Sequence, residues 1–148
     1  MRQRFLLSAL FAVIAVILEA RLNQFLGIGG GLLVAALVVP ALFIDFLEII
    51  FLTLAVLFFL NWQPAFSWDI FILGIFPLGV FWSKRLIRWK SWVIVPVAIF
   101  LGILVLYLIF ERELLLSAPI IFARDVIIGL IFGFSEFAVL NKDSFTSI

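Results

Sequence analysis

The stretch 83-SKRLIRWKSW-92 sets four basic residues, Lys84, Arg85, Arg88 and Lys90, between two long apolar runs. Basic clusters in short loops between membrane spans stay on the cytoplasmic side, because carrying them across the bilayer costs more than leaving them behind. The loop is therefore expected inside, its cations and the indoles of Trp89 and Trp92 lying against anionic lipid headgroups.

The rest of the chain fits a membrane setting. Of its 148 residues 67% are hydrophobic and 13% charged, with a mean hydropathy of +1.38. A soluble domain is about half apolar and about a quarter charged, so this composition predicts an integral membrane protein in contact with the lipid bilayer. The net charge of +1 and the localisation of the basic residues exclude a nucleic-acid-binding face. Cysteine and histidine are both absent. Thiolate and imidazole metal sites, haem ligation through either group, disulfides and histidine-dependent triads fall with them, and no metal or cofactor is expected. A phosphate-cradling GxxxxGK[ST] loop is missing as well, so the expectation is a protein without catalytic activity.

Residues 5–22 read as a first span behind Arg2 and Arg4. Leu18-Glu19-Ala20 lacks the small residue that signal cleavage needs, so the span is retained and the amino end lies inside. Ser8, Ala12 and Ala15 fall on one helical face and form a packing seam, open to another helix of the chain or to a partner. Glu19, Arg21, Asn23 and Gln24 then make a polar patch before the glycine-rich turn at 27–31.

Residues 29–60 carry only Asp45 and Glu48 as charges. A single helix over them would measure about 48 Å, well beyond a ~30 Å hydrocarbon core. With the amino end and the basic loop both inside, an even number of crossings must separate them. The run is therefore expected to turn back at Asp45, giving spans at 31–44, loosened by Pro40, and 46–60. Asn61-Trp62-Gln63-Pro64 follows as an outside turn. The fourth span, 70–82, is expected to be kinked by Gly74, Pro77 and Gly79. A fifth covers 92–110 with Glu111-Arg112-Glu113 as its outer cap, and a sixth covers 119–140. The predicted fold class is an all-α integral membrane protein: one transmembrane domain over residues 1–148, a compact bundle of six transmembrane helices with both termini inside. All 5 tryptophans fall at predicted span ends, where an amphipathic indole prefers to sit.

The sixth span holds Arg124, Asp125 and Glu136 around the GxxxG of Gly129 and Gly133. At 100° per residue Asp125, Gly129, Gly133 and Glu136 share an arc of about 80°. That face must look at protein, since an ionisable group turned to lipid costs at least ~2.5 kcal/mol. Either Arg124 and Asp125 neutralise other buried charges while Glu136 reaches the inner interface near Lys142, or these residues form a polar pocket or a docking surface for another membrane helix. Asp45 and Glu48, three apart, share a face at the inner turn. They are expected to pair with Lys84 or Arg85, or to meet a cytoplasmic partner.

The opening MRQRFLLSALFAVIAVILEARLNQFLGI is an apolar span followed by a short polar-to-glycine turn. The later FSWDIFILGIFPLGVFWSKRLI is an Asp-containing turn, a glycine-punctuated helix and then basic residues. With six spans and short second and third helices, the chain resembles the rod-shape-determining MreD family of bacterial inner membranes. The resemblance implies a fold like that of the substrate-binding subunits of energy-coupling-factor vitamin transporters. It also implies a non-enzymatic scaffold that binds the bitopic protein MreC in the machinery of cell shape and peptidoglycan synthesis. On that reading the contact residues are Ser8, Ala12, Ala15, Gly129, Gly133, Asp45, Glu48, Lys84 and Arg85. The competing expectation is a substrate-binding subunit of a small-molecule uptake transporter, with its pocket at Glu19, Asn23, Gln24, Arg124 and Asp125.

Overall fold

The computed structural model describes residues 2–26, 31–60, 68–86 and 90–142, and among them it is all-helical, with no strand. In chain order the elements are α1 (Arg2–Leu26), α2 (Gly31–Val38), a 3-10 turn (Pro40–Leu42), α3 (Phe46–Leu60), α4 (Trp68–Leu86), α5 (Ser91–Phe110), α6 (Arg112–Ser117) and α7 (Pro119–Lys142).

Helix α2 is the hub. Its sequence, GLLVAALV, is apolar on every face, and a helix of that kind is stable only when surrounded. All eight of its residues are buried, against α1, α4, α5 and α7. The helix stops where its chemistry stops. Pro40 has no N–H to return to the carbonyl of Ala36, so the ladder ends at Val38 and tightens into the 3-10 turn. The turn closes through Phe43 N–H and Ile44 N–H on the carbonyl of Pro40, at 2.8 and 3.0 Å. Helix α3 then starts afresh behind Asp45, whose N–H donates to Oε2 of Glu48 at 3.2 Å. A glutamate three residues into a helix reaching back to the residue before it is one half of a capping box. The described part of the run, 31–60, is thus interrupted at Asp45 rather than continuous.

Side-chain pairs give the directions of the helices. Gly31 lies beside Asp125, Ala35 and Val39 lie beside Gly133, and the rings of Phe43 and Phe137 are 5.5 Å apart, so α2 and α7 run parallel. Tyr107 meets Asp125, Ile103 meets Gly129 and Ile99 meets Gly133, an antiparallel register for α5 on α7. Phe46 stacks near Phe81 at 5.4 Å and Leu57 packs on Gly74, so α3 and α4 are antiparallel. Phe5 lies 6.2 Å from Phe51, which brings the start of α1 to the first half of α3. One end of the bundle therefore collects the starts of α1, α3 and α5 and the ends of α2, α4 and α7. We refer to it as the Lys84 end and to the opposite one as the Tyr107 end.

Two helical stretches, Gln3–Arg21 and Ser91–Phe110, are long and apolar enough to cross a membrane; Gly31–Leu42 and Phe46–Leu60 are apolar but shorter. Helix α7 has the length, but carries Arg124, Asp125 and Glu136 along it. Several sequence boundaries shift. α1 continues past the expected 22 to Leu26, and α4 past 82 to Leu86. Pro77 is buried inside α4 without ending the helix. Helix α6 occupies 112–117, where only a cap was expected; its Leu114 and Leu115 pack, partly buried, on the core. The expected turn at Asn61–Pro64 lies outside the described residues.

Candidate functional site

Polar residues gather at the two ends of the bundle and at one level between them. At the Tyr107 end, α7 turns Asp125 inward against α2 and α5, leaving it 4% exposed. Its Oδ2 accepts a 2.6 Å hydrogen bond from the Tyr107 hydroxyl. Its Oδ1 accepts from Nε and Nη2 of Arg124 at 3.1 and 3.0 Å, the latter also an ion pair. A buried carboxylate saturated by a phenol and a guanidinium is held in one geometry, and its charge is balanced locally. Tyr107 is fixed in turn by the edge of its ring on Phe122, 5.2 Å between centroids. Glu111, at the carboxyl end of α5, lies close enough for burial first and the Asp125 charge second to raise its carboxyl above the ordinary value of 4.5. Glu19 is also buried here on α1, 5% exposed. The side chains of Asn23 and Gln24, the remaining members of the expected pocket, lie outside the described residues.

At the Lys84 end, Nζ of Lys84 donates to the carbonyl of Leu42. Leu42 closes the turn after α2, so this ammonium caps the carbonyl end of the central helix, where cations are favoured. Burial, then the neighbouring Arg4 charge, lowers the Lys84 amine below its ordinary 10.5, while Asp45 raises it. Arg4, Phe43, Ile44, Asp45 and Glu48 line a polar cavity of about 80 Å³. Arg85 is exposed, its guanidinium 5.4 Å from the centroid of the Phe81 ring. The ion pair expected from Asp45 or Glu48 to Lys84 or Arg85 does not form among the described residues. Glu48 is spent on the start of α3 and Lys84 on the end of the turn, each completing a helix terminus of its own. Lys90 is exposed; Arg88, the fourth member of the basic loop, lies outside the described residues.

Between the ends, Glu136 is fully buried rather than reaching the inner interface near Lys142, and among the described residues neither of its oxygens finds a hydrogen-bond partner; the same holds for Ser8 Oγ and Thr53 Oγ1.

Both small-residue seams are used inside the chain. Ser8, Ala12 and Ala15 are 0%, 3% and 0% exposed, which closes that face of α1 to a partner. Gly129 and Gly133 carry the approach of α2 to α7. A Cβ on Gly31 would collide with the backbone carbonyl oxygen of Asp125, and one on Gly129 would sit 2.9 Å from the carbonyl oxygen of Gly31. The face predicted for Asp125, Gly129, Gly133 and Glu136 is the buried face of α7. Sequence reasoning missed Tyr107. It is the single tyrosine, but only the register of α5 on α7, in which Ile99, Ile103 and Tyr107 meet Gly133, Gly129 and Asp125, brings it to the carboxylate.

Comparison with known proteins adds no relative: no family model, no curated protein and no solved structure matches the chain.

Proposed function

We propose that this chain is a six-span protein of the bacterial inner membrane with both termini in the cytoplasm. On this reading it is a non-enzymatic scaffold resembling MreD, which binds a bitopic, MreC-like partner of the wall-elongation and cell-shape machinery. The observation that carries the reading is the filled centre. Where a solute carrier needs a pocket, this bundle holds α2, buried on every side. The acid at the mouth of the expected pocket, Asp125, is saturated by Tyr107 and Arg124.

The orientation rests on charge. Arg4, Lys84, Arg85, Lys90 and Lys142 belong to the starts of α1 and α5 and the ends of α4 and α7, which share one end of the bundle. An excess of basic residues marks the cytoplasmic side. Since the seams of α1 and α7 are occupied, the partner is left the exposed Asp45 and Arg85 at that end, with Glu48 partly accessible, and the lipid-side faces of α1 and α3. Leu10, Ile17, Phe51 and Phe58 are exposed there, at 54%, 57%, 66% and 65%.

The test is affinity isolation of the tagged chain from its native membranes in mild detergent. The proposal predicts an equimolar one-span protein that is lost when Asp45→Lys and Arg85→Glu are combined. Isolation of the chain alone, or with a retained small solute, contradicts it.

A further inference from the structure

Glu136 is 0% exposed and, among the described residues, makes neither a hydrogen bond nor an ion pair. An apolar side chain there would avoid the cost of desolvating a carboxylate, so an acid kept at such a position points to a bound group rather than to packing.

Helix register puts a second unsatisfied oxygen at its level. The rings of Phe11 on α1 and Phe132 on α7 are 5.6 Å apart, and the two helices run in opposite directions. One turn from there toward the Lys84 end come Ser8 on α1, about 4.5 Å along, and Glu136 on α7, about 6 Å along. Ser8 is also 0% exposed, and its hydroxyl finds no partner among the described residues. At 100° per residue Glu136 falls between Gly133, which meets Ala35 and Val39 of α2, and Phe132, which meets α1. It therefore stands on the flank of α7 that borders both helices.

The broken end of α2 lies at the same level. Gly133 is beside Val39, and the ring of Phe137 is beside that of Phe43, so Glu136 is level with the turn at Pro40–Leu42. Pro40 has no N–H for the carbonyl of Ala36, and helical carbonyls point toward the carboxyl end, here toward that turn. Where a helix breaks inside a membrane bundle, its freed carbonyls and its carboxyl end suit a sodium ion. Carboxylate, hydroxyl and carbonyl are all hard oxygen donors. One carboxylate balances one charge, and no group of three residues fit to hold a metal ion occurs among the described residues, which favours a monovalent cation over a divalent one.

The polar cavity of about 80 Å³ at Arg4, Phe43, Ile44, Asp45 and Glu48 lies on the Lys84 side of this level. Arg4 is one turn beyond Ser8, and Phe43 rests on Phe137, the residue after Glu136. Its two carboxylates against one guanidinium favour a cation.

We propose that Glu136, the Ser8 hydroxyl and the Ala36 carbonyl form an internal site for one alkali cation, reached from the Lys84 end. The site goes beyond the scaffold reading and stands whether or not a bitopic partner binds.

The experiment is thermal unfolding of the full chain in detergent at constant ionic strength, with sodium chloride or potassium chloride replacing choline chloride. The midpoint is expected to rise saturably with at least one of the two alkali salts, as binding to the folded state alone requires. Glu136→Gln should abolish that rise. Ser8→Ala should increase the half-saturating concentration about tenfold, equivalent to ~1.4 kcal/mol. Thr53→Ala should leave it unchanged: that hydroxyl is also without a partner among the described residues, but it shares a face of α3 with Phe46 and Leu57, which meet α4. Removing the carboxylate stabilises the chain only in choline, where nothing compensates its charge. Equal midpoints in all three salts, a rise that survives Glu136→Gln, or a half-saturation that Ser8→Ala does not move overturns the site. A midpoint that rises on acidification and ignores the alkali salts assigns a proton to Glu136 and overturns it as well. Should Glu136→Gln fail to fold, calorimetric titration of the native chain and of Ser8→Ala with the same chlorides decides: one ion per chain, bound about tenfold more weakly by the variant, is expected, and the absence of a saturable heat overturns the site.

Discussion

The hydroxyl of Tyr107 on α5 donates to Oδ2 of Asp125 on α7 at 2.6 Å, tying two antiparallel helices at the level where the central helix begins. Removing the donor leaves a buried carboxylate oxygen unsatisfied, which costs about 1–3 kcal/mol. Tyr107→Phe is expected to lower the thermal midpoint in detergent. A cycle with Asp125→Asn should show coupling between the two changes, of about 0.5–3 kcal/mol; additive effects would mean that the contact carries no energy.

Glycine matters at Gly31 for a different reason than at Gly79. The first faces the carbonyl of Asp125, the second open space. Gly31→Ala forces α2 away from α7 and should cost about 1–3 kcal/mol, in the range of other overpacked cores. Gly79→Ala relieves a flexible residue inside a helix and should gain about 0.5–1 kcal/mol. Unfolding midpoints of the two variants are expected to move in opposite directions, and a shared direction would contradict the packing described.

Glu111 links stability to pH. Its carboxyl is raised above 4.5 by burial and then by Asp125. Between 4.5 and its value in the fold, the folded chain binds more protons than the unfolded one, so its contribution is complete below 4.5 and declines as pH rises. Relative to Glu111→Gln, the native chain should lose thermal stability as pH rises above 4.5. Parallel midpoint-versus-pH curves for the two proteins would contradict this.

Glu136 is buried with two oxygens and no donor among the described residues. Replacing such a group by an apolar one of similar volume removes a desolvation cost without opening a cavity. Glu136→Met is expected to raise stability by about 1–3 kcal/mol, read as a higher midpoint in detergent. A fall would show that the carboxyl has a partner in the folded chain.

Much of the helical layout was legible because hydropathy runs and charge placement are long-range features. The break at Asp45 followed from helix length and charge parity, and the half capping box of Asp45 and Glu48, reinforced by Pro40, is its local cause. Helix α6 was not legible: six residues, RELLLS, are too short to show a period, and packing of Leu114 and Leu115 on the core helps hold them. The site was half legible. Spacing put Asp125, Gly129, Gly133 and Glu136 on one face. Which partners Asp125 takes depends on the register between α5 and α7, and no spacing within one helix encodes that. Likewise Ser8, Ala12 and Ala15 mark a seam in the sequence, but whether a seam is closed by the chain or by a partner is a tertiary fact; here the chain closes it.

The central claim is that the chain turns back at Asp45, putting that residue on the side of the amino terminus and opposite Glu113. The absence of native cysteine makes single-cysteine labelling direct. With a membrane-impermeant maleimide on intact cells, Glu113→Cys should react and Asp45→Cys should react only after the membrane is opened. Reaction of both from outside, or of Asp45→Cys alone, would contradict the account.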